Sequence, residues 1–438
     1  AGVLAVLTTF LAARALFSGT IERGSVNGIA LLSAFFLAIL YPAVHFSRFG
    51  IRAMLFVPVQ TMAVACFWWA INRSKRSGSD ITVWLLFIAS GFFIGLGIYT
   101  FAAARLFPLV WLLFVPLWFW IDRQAFAAHW RHILALGGAA LVTALPLLLF
   151  FARYPYYFVF RIAYVANKGK GAVEGRPAMT WLLNTGRVTR GLLWQGETHL
   201  RHNLPARPFL DPIQAVLFLI GLGRSLYHFA QPRYLFLLIW FGVMLLPSIL
   251  SGDAPHFGRL SGAAAPAAIL TALGARLMWL RAGAWLARYL PERRATWLVS
   301  AVMLLLLAAS AVITIRDYFG RYAAHPDLAE DFYLDEWRMG QYAATAVPEN
   351  ARLFLTPTQE ELATMFFALG DAERLRNYEG SADLLPAGTP GLETLYLLRS
   401  GESETRQAIE NTFAEVSAGP PGEGYGAYHI AANAPRPR

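Results

Sequence analysis

Ten stretches of this chain are apolar for about as long as a lipid bilayer is thick, and no other feature restricts the fold so strongly. They lie near 1–17, 27–44, 52–72, 81–100, 105–121, 133–151, 212–229, 234–250, 262–280 and 296–315. An α-helix of roughly 17–25 apolar residues crosses the hydrocarbon core. In that medium a helix satisfies its own backbone groups, whereas open strands and loops do not. The composition agrees: the chain is 57% hydrophobic and 15% charged, against about a quarter charged in soluble domains. The first two runs are short and end in polar motifs. The fourth and fifth are nearly continuous, so a tight turn near Thr100 must divide them. The fold class is therefore mainly α: a polytopic transmembrane helical bundle over 1–316, with a small soluble α/β domain over 317–438.

Charge supports that division. Of 27 acidic residues only eight precede Arg316, and no lysine follows it, so the two regions have different surroundings. In the second region "RLFLT" (352–356), "ETLYLLRS" (393–400) and "YGAYHIA" (425–431) read as strands. "QEELATMFFALG" (359–370) and "ESETRQAIENTF" (402–413) read as helices. The final "NAPRPR" is expected to be disordered. The adjacent carboxylates of "DEW" (335–337) fall at the start of an amphipathic helix, where they favour the helix dipole. The single cysteine, Cys66, sits in an apolar run and makes no internal disulfide or cysteine metal cluster.

Loops on the cytoplasmic side of a membrane are enriched in Lys and Arg. One alternate set of loops carries Arg23, Arg73, Lys75, Arg76, Arg123, Arg131, Arg224, Arg233, Arg281, Arg288, Arg293 and Arg294. The other carries Arg48, Arg52, Arg105 and Arg259. The richer set is expected to be cytoplasmic, which turns the long outer loop 152–211 and the C-terminal domain outward. Residue 1 then also lies outside. The sequence begins on an apolar helix, so an earlier span and an outer loop are expected upstream.

The eight early carboxylates fall in loops. Glu22, Asp80, Asp122 and Glu292 are expected inside, and Glu174, Glu197, Asp211 and Asp253 outside. Ionisable groups within a membrane mark ion and proton pathways, and none is mid-span here, which counts against a proton-coupled transporter. Nucleic acid is not an expected partner, because the basic residues are spread over many membrane loops.

Four outer clusters carry polar chemistry. In "YPAVHFSRFGIR" (41–52), His45 and Arg48 share a helical face, and Arg donors suit phosphate; snorkelling at the interface is the plainer alternative. In "GLGIYTFAAARLFP" (95–108), Tyr99 and Arg105 flank a hairpin whose Gly95 and Gly97 permit close helix packing. In "GDAPHFGRLSG" (252–262), His256 and Arg259 precede a helix whose free N–H groups suit an anion. The densest is "GETHLRHNLPARPFLDP" (196–212). Glu197, His199 and His202 are possible metal ligands by type, but their spacing matches no strong zinc signature. Arg201, His202, Asn203 and Arg207 read better as anion or sugar contacts, or as part of a lid on the bundle, and no metal site is assigned.

The segments "HFSRFGIRA", "GLGIYTFAAARLFPL", "GETHLRHNLPARPFLDP" and "APHFGRLSGAAAPA" occur in this order between spans. Together they resemble bacterial integral-membrane glycosyltransferases of the glycosyltransferase 39-like group, within the GT-C superfamily. That superfamily includes protein O-mannosyltransferases and the aminoarabinose transferases that modify lipid A. The resemblance covers most of residues 1–330. It implies a multi-pass protein of the bacterial inner membrane whose active site faces outward. The donor would be a polyprenyl-phosphate-linked sugar and the acceptor a lipid, glycan or protein hydroxyl, with membrane lipids around it. A divalent metal cation is used in some branches of the family. A carboxylate in the first outer loop acts as general base, and none of Glu174, Glu197, Asp211 or Asp253 matches it; this sequence alone is thus expected to be inactive. Arg259 and Arg105, then Arg48 and Arg201, are the candidates to stabilise the leaving phosphate, with His256 and Tyr99 positioning phosphate or sugar. The alternative is a transporter or flippase for the same lipid-linked sugar, which would need a second, cytoplasm-facing site.

Overall fold

In a computed structural model of the chain, each of the ten apolar runs lies on a helix. The structure describes all residues except 20–22, 161–172, 174–175, 347–350, 356–361, 371–374, 378–391, 400–401, 414–415, 419–424 and 432–438. Glu22, Glu174 and the terminal "NAPRPR" lie outside the described residues. The chain forms two compact units, Ala1–Ala323 and Ala324–Arg438, so the first unit continues past the expected boundary at 316.

The first unit is built from α1 (Gly2–Phe17), α2 (Arg23–Ile39), α3 (Tyr41–Phe49), α4 (Ala53–Ser77), α5 (Ile81–Thr100), α6 (Leu109–Ile121) and α7 (Arg123–Arg153), followed by α8 (Pro177–Leu193), α9 (Pro212–Tyr227), α10 (Pro232–Ile249), α11 (Ala264–Leu286) and α12 (Glu292–Ile315). Among the described residues, seven helices are long and apolar enough to cross a membrane. An eighth span is broken: α2 and α3 meet at a 59° bend, where Leu40 is extended and Pro42 opens the next helix, as a proline at a first turn allows. The remaining two runs form α1 and α9, each of 16 residues. The expected turn near Thr100 is present; Phe101 is extended and a 3₁₀ turn, Ala102–Leu106, leads into α6. Helix α8 lies within the long segment 152–211, where the sequence pattern points to no helix.

Leu141, Val142 and Leu149 on α7 and Leu304, Leu305 and Val312 on α12 are exposed, as lipid-facing side chains are. The centre is aromatic. Phe67, Trp68, Phe114 and Phe236 are buried, and Phe114 meets Phe236 edge-on at 5.1 Å, the geometry that ring quadrupoles favour. Between α9 and α11 the packing is set by glycine. A Cβ on Gly221 would lie 1.8 Å from the Leu270 carbonyl oxygen, and one on Gly274 would lie 1.8 Å from that of Leu217. Backbones approach this closely only where side chains vanish.

The second unit is a five-stranded sheet in the order β2-β1-β3-β5-β4, with β1 (Arg352–Leu355), β2 (Leu375–Asn377), β3 (Thr394–Arg399), β4 (Val416–Ala418) and β5 (Tyr425–Ile430). β1 pairs parallel with β2 and β3, whereas β5 runs antiparallel to β3 and β4. Alternation along the strands gives two faces. Leu353, Leu355, Leu395 and Leu397 pack with Met339 and Met365 on one side, and Phe354, Tyr396 and Leu398 pack with Ile409 and Phe413 on the other. The three longer strands and the helices Leu362–Leu369 and Ser403–Thr412 fall where the sequence places them, and two further helices, Leu328–Asp331 and Leu334–Ala346, precede β1. In "DEW", Glu336 is buried and paired with Arg399, a structural role.

The α9–α11 contact yields a prediction. Gly221→Leu should cost at least about 2 kcal/mol through overpacking against backbone that cannot move aside. Thermal denaturation of the detergent-solubilised protein would read it as a clear fall in midpoint, and wild-type stability would contradict the close approach.

Candidate functional site

Four segments of the first unit meet: α3, residues 196–211, residues 251–260, and a π-helical turn, Arg316–Tyr322, that continues α12. By the alternation of the spans all four belong with the loops that carry Arg48 and Arg259. The other set meets elsewhere, where Arg233 donates to the Leu16 carbonyl at 2.8 Å and to Asn72 Oδ1 at 2.9 Å. This grouping follows from the alternation of the spans, which delivers every second loop to the same end of a bundle.

Residues 196–211 form a tied strap. Asn203 is buried and donates from Nδ2 to the carbonyls of Glu197 (2.8 Å) and Arg207 (2.7 Å). Gly196 cannot be larger, because a Cβ there would fall 1.9 Å from the Arg207 carbonyl oxygen. Phe209 and Leu210 donate to the end of α8, at the Gly191 and Leu192 carbonyls. The strap ends at Asp211, whose Oδ1 caps α9 by accepting from the N–H groups of Ile213 and Gln214, both at 2.9 Å, as an N-cap aspartate does.

The rest of the first unit grips this strap through one buried ion pair. Arg207 Nε donates to Asp317 Oδ2 at 3.0 Å, and both side chains are almost fully buried. The guanidinium also lies 4.3 Å over the Tyr41 ring and donates to the Pro208 carbonyl. Burial pulls the Arg207 pKa down and Asp317 opposes it. Tyr41 Oη accepts from Leu204 N–H at 3.1 Å, and Tyr322 Oη donates to the Leu200 carbonyl at 3.1 Å.

His45 is buried on α3 and donates from Nε2 to the Arg201 carbonyl at 2.8 Å. Its neighbour Arg48 is exposed and lies 5.1 Å over the Phe319 ring. Arg259 is half-buried and pairs with Asp253. His202 donates from Nδ1 to Glu197 Oε1 at 2.7 Å, while Glu197 Oε2 accepts from Phe257 N–H at 2.6 Å. The His202 and His256 rings lie 4.4 Å apart. Burial, ahead of the nearby Arg259, His202 and His199, holds His256 well below the ordinary imidazole value, so it is a neutral ring at neutral pH.

The structure thus joins the first, third and fourth sequence clusters through His45, Arg201, His202 and His256. The second has other partners. Tyr99 donates to the Thr143 carbonyl on α7 at 3.0 Å. Arg105 sits between Phe151 (4.7 Å) and Phe158 (5.0 Å), with its Nε and Nη1 buried and lacking a hydrogen-bond partner among the described residues. Asn203 and Arg207 are committed to holding the strap. Sequence reasoning missed Asp317 and Tyr41, which lie far from the strap in the chain. The one available signal was a carboxylate directly after an apolar run, since a charge placed there needs a partner. A divalent cation fits the residue types present: Glu197, His202 and His256 offer ligand atoms all within 4.8 Å of one another.

The fold of the chain is shared with solved membrane-protein structures. Three solved structures share it: ArnT from Cupriavidus metallidurans bound to undecaprenyl phosphate, the apo oligosaccharyltransferase of Archaeoglobus fulgidus, and the archaeal oligosaccharyltransferase AglB from the same organism in complex with an inhibitory peptide and a dolichol-phosphate. ArnT superposes with a TM-score of 0.58 at 14% identity, covering 99% of this chain and 83% of ArnT. The archaeal structures give TM-scores of 0.50 at 15% and 14% identity, covering 98% and 99% of this chain. The chain spans 62% and 63% of their lengths. At these identities the likeness is one of fold. No protein-family model and no curated protein sequence matches the chain.

The ion pair generates the second prediction. Asp317→Asn leaves a buried guanidinium facing a neutral partner, a change that costs about 3 kcal/mol or more. Denaturation in detergent should show that loss, with faster proteolysis between residues 196 and 211. An unchanged midpoint and an intact strap would contradict the assigned role.

Proposed function

We propose that this protein is a glycosyltransferase of the bacterial inner membrane, moving a sugar from a polyprenyl-phosphate donor to a hydroxyl of a lipid, glycan or protein acceptor at the outer face. The observation that carries this reading is the fold likeness across 99% of the chain to a structure holding undecaprenyl phosphate. The meeting of His45, Arg48, Arg201, His202, His256 and Arg259 at one end of the bundle supports it, because those types suit an anionic, hydroxyl-rich ligand. By the positive-inside bias that end faces outward, as does the second unit.

The chemistry follows from charge. When the anomeric C–O bond to the phosphate breaks, the bonding pair goes to the phosphate oxygen, and a fixed guanidinium lowers the cost of that charge. Arg259 is half-buried beside Asp253 and is the leading donor. Arg48 is exposed on another of the segments that meet there, and Arg105 has two buried donor atoms with no hydrogen-bond partner among the described residues. The carboxylates of this end are otherwise engaged: Glu197 with His202 and Phe257 N–H, Asp211 as a helix cap, Asp253 with Arg259. None of the three is assigned as the base that takes the acceptor proton.

A flippase remains the second reading, for one reason. A cavity of about 740 Å³ lined by Arg14, Asn27, Asn72, Arg73 and Arg76 opens among the other set of loops, and a translocated lipid phosphate needs a site at each end.

Membranes containing the protein, supplied with a radiolabelled polyprenyl-phosphate sugar, separate the two. Transfer of label to an acceptor is expected, with Arg259→Ala lowering turnover about 100-fold, the scale of losing one fixed charge donor. Translocation of intact donor without transfer would establish the second reading instead.

A further inference from the structure

We infer that the cavity among α1, α2, α4 and α5, at the end of the bundle richer in Lys and Arg, binds the headgroup of an anionic glycerophospholipid. The inference goes beyond the transferase reading and stands whether or not that reading holds. The cavity measures about 740 Å³ and has two kinds of wall. Arg14, Asn27, Arg73 and Arg76 make one wall polar, while Trp69 and Leu86 make the other apolar. A dissolved anion has no use for the second wall, whereas an amphiphile at the membrane surface meets both. Basic pockets between membrane helices are places where lipid headgroups bind.

The arginines of the polar wall are not equivalent. Arg73 donates from Nε and Nη2 to Asp80 Oδ2 at 2.9 and 2.7 Å, so the two charges offset each other. Asp80 is further occupied in capping α5, where it accepts from Val83 N–H at 2.9 Å. Arg14 and Arg76 are exposed and pair with no carboxylate among the described residues. Their donors are left for a phosphate, whose oxygens match the guanidinium fork. Two helices, α1 and α4, end beside this cavity, and carbonyl groups at a helix C-terminus repel an anion. At α1 those carbonyls are covered. Asn72 donates from Nδ2 to the carbonyl of Ala15 at 2.7 Å, and Arg233 donates from Nη1 to that of Leu16 at 2.8 Å and to that of Ser18. At α4 the last turn carries Lys75 and Arg76. The site therefore holds spare positive charge, which disfavours a headgroup with a cation of its own.

The apolar wall continues along α5. That helix exposes Ile81, Leu85, Ile88 and Phe92, spaced so that they form one stripe. Thr82 and Leu86, which line the cavity, directly follow the first two of these in the chain. A headgroup held by Arg14 and Arg76 thus has a path for its acyl chain beginning beside it. Arg281 and Arg288 belong to the same set of loops and are exposed, but they do not line this cavity. They separate a built site from the general attraction of a basic surface.

The test uses the whole chain, purified in a neutral detergent and stripped of co-purified lipid, with bound lipid counted by native mass spectrometry. Phosphatidylglycerol is expected to be retained at one molecule per chain and to be preferred about tenfold over zwitterionic phosphatidylcholine, the scale set by two basic side chains at a lipid headgroup. Inorganic phosphate at millimolar concentration should not displace it. The double variant R14A and R76A, checked for folding by gel filtration and circular dichroism, should lose that preference. The double variant R281A and R288A removes the same charge from the same end and should keep it. Equal retention of the two phospholipids by the wild type would overturn the site, however the variants fold. Equal loss in both double variants would reduce the effect to a basic surface and overturn it as well. Displacement by inorganic phosphate, or tighter retention of a polyprenyl phosphate than of phosphatidylglycerol, would overturn the phospholipid assignment.

Discussion

Inside a lipid bilayer a polar backbone group has no water to turn to, and that constraint organises this protein. It makes the first unit helical and confines charge to the ends of the helices. Because the chain crosses back and forth, alternate loops are carried to the same end. His45, the adjacent Arg201 and His202, and His256, from three segments far apart in sequence, are neighbours for this reason. The histidine and arginine chemistry of the candidate site is a product of span parity before it is a product of any motif.

One interaction then turns a collection of loops into a defined surface. A strap containing two prolines could take many courses over the bundle. Arg207, buried against Asp317 and laid over Tyr41, fixes its course, and Asn203 fixes its internal turns. A buried pair of this kind adds little net stability over an apolar substitute. Its effect is positional: with the strap tied down, His202 and Glu197 are presented to His256.

The fold was largely legible in the sequence because its signals are local. Apolar length marked ten helices, and period-two patterns marked the three longer strands of the second unit. The three-residue strands β2 and β4 escaped, being too short for a pattern to register. Helix α8 escaped because its apolar face is interrupted by arginines, and it sits inside a loop read as polar. The site was only half legible. Clusters could be found by composition, but not their partners. Arg207 has the character of a ligand contact in the sequence, whereas in the fold Asp317, 110 residues away, occupies it. The triad at Glu197 could not be completed from the strap, because its third member lies in another loop.

The central claim is that the lipid-phosphate site lies where α3, the strap, the 251–260 loop and the Arg316–Tyr322 turn meet. The most direct measurement is photo-crosslinking of a polyprenyl phosphate carrying a diazirine near its head group, followed by peptide mapping. The account predicts adducts within 41–52, 196–211 and 251–262, competed away by unlabelled polyprenyl phosphate. Adducts concentrated instead around Arg14, Arg73 and Arg76, with none in those three segments, would contradict it.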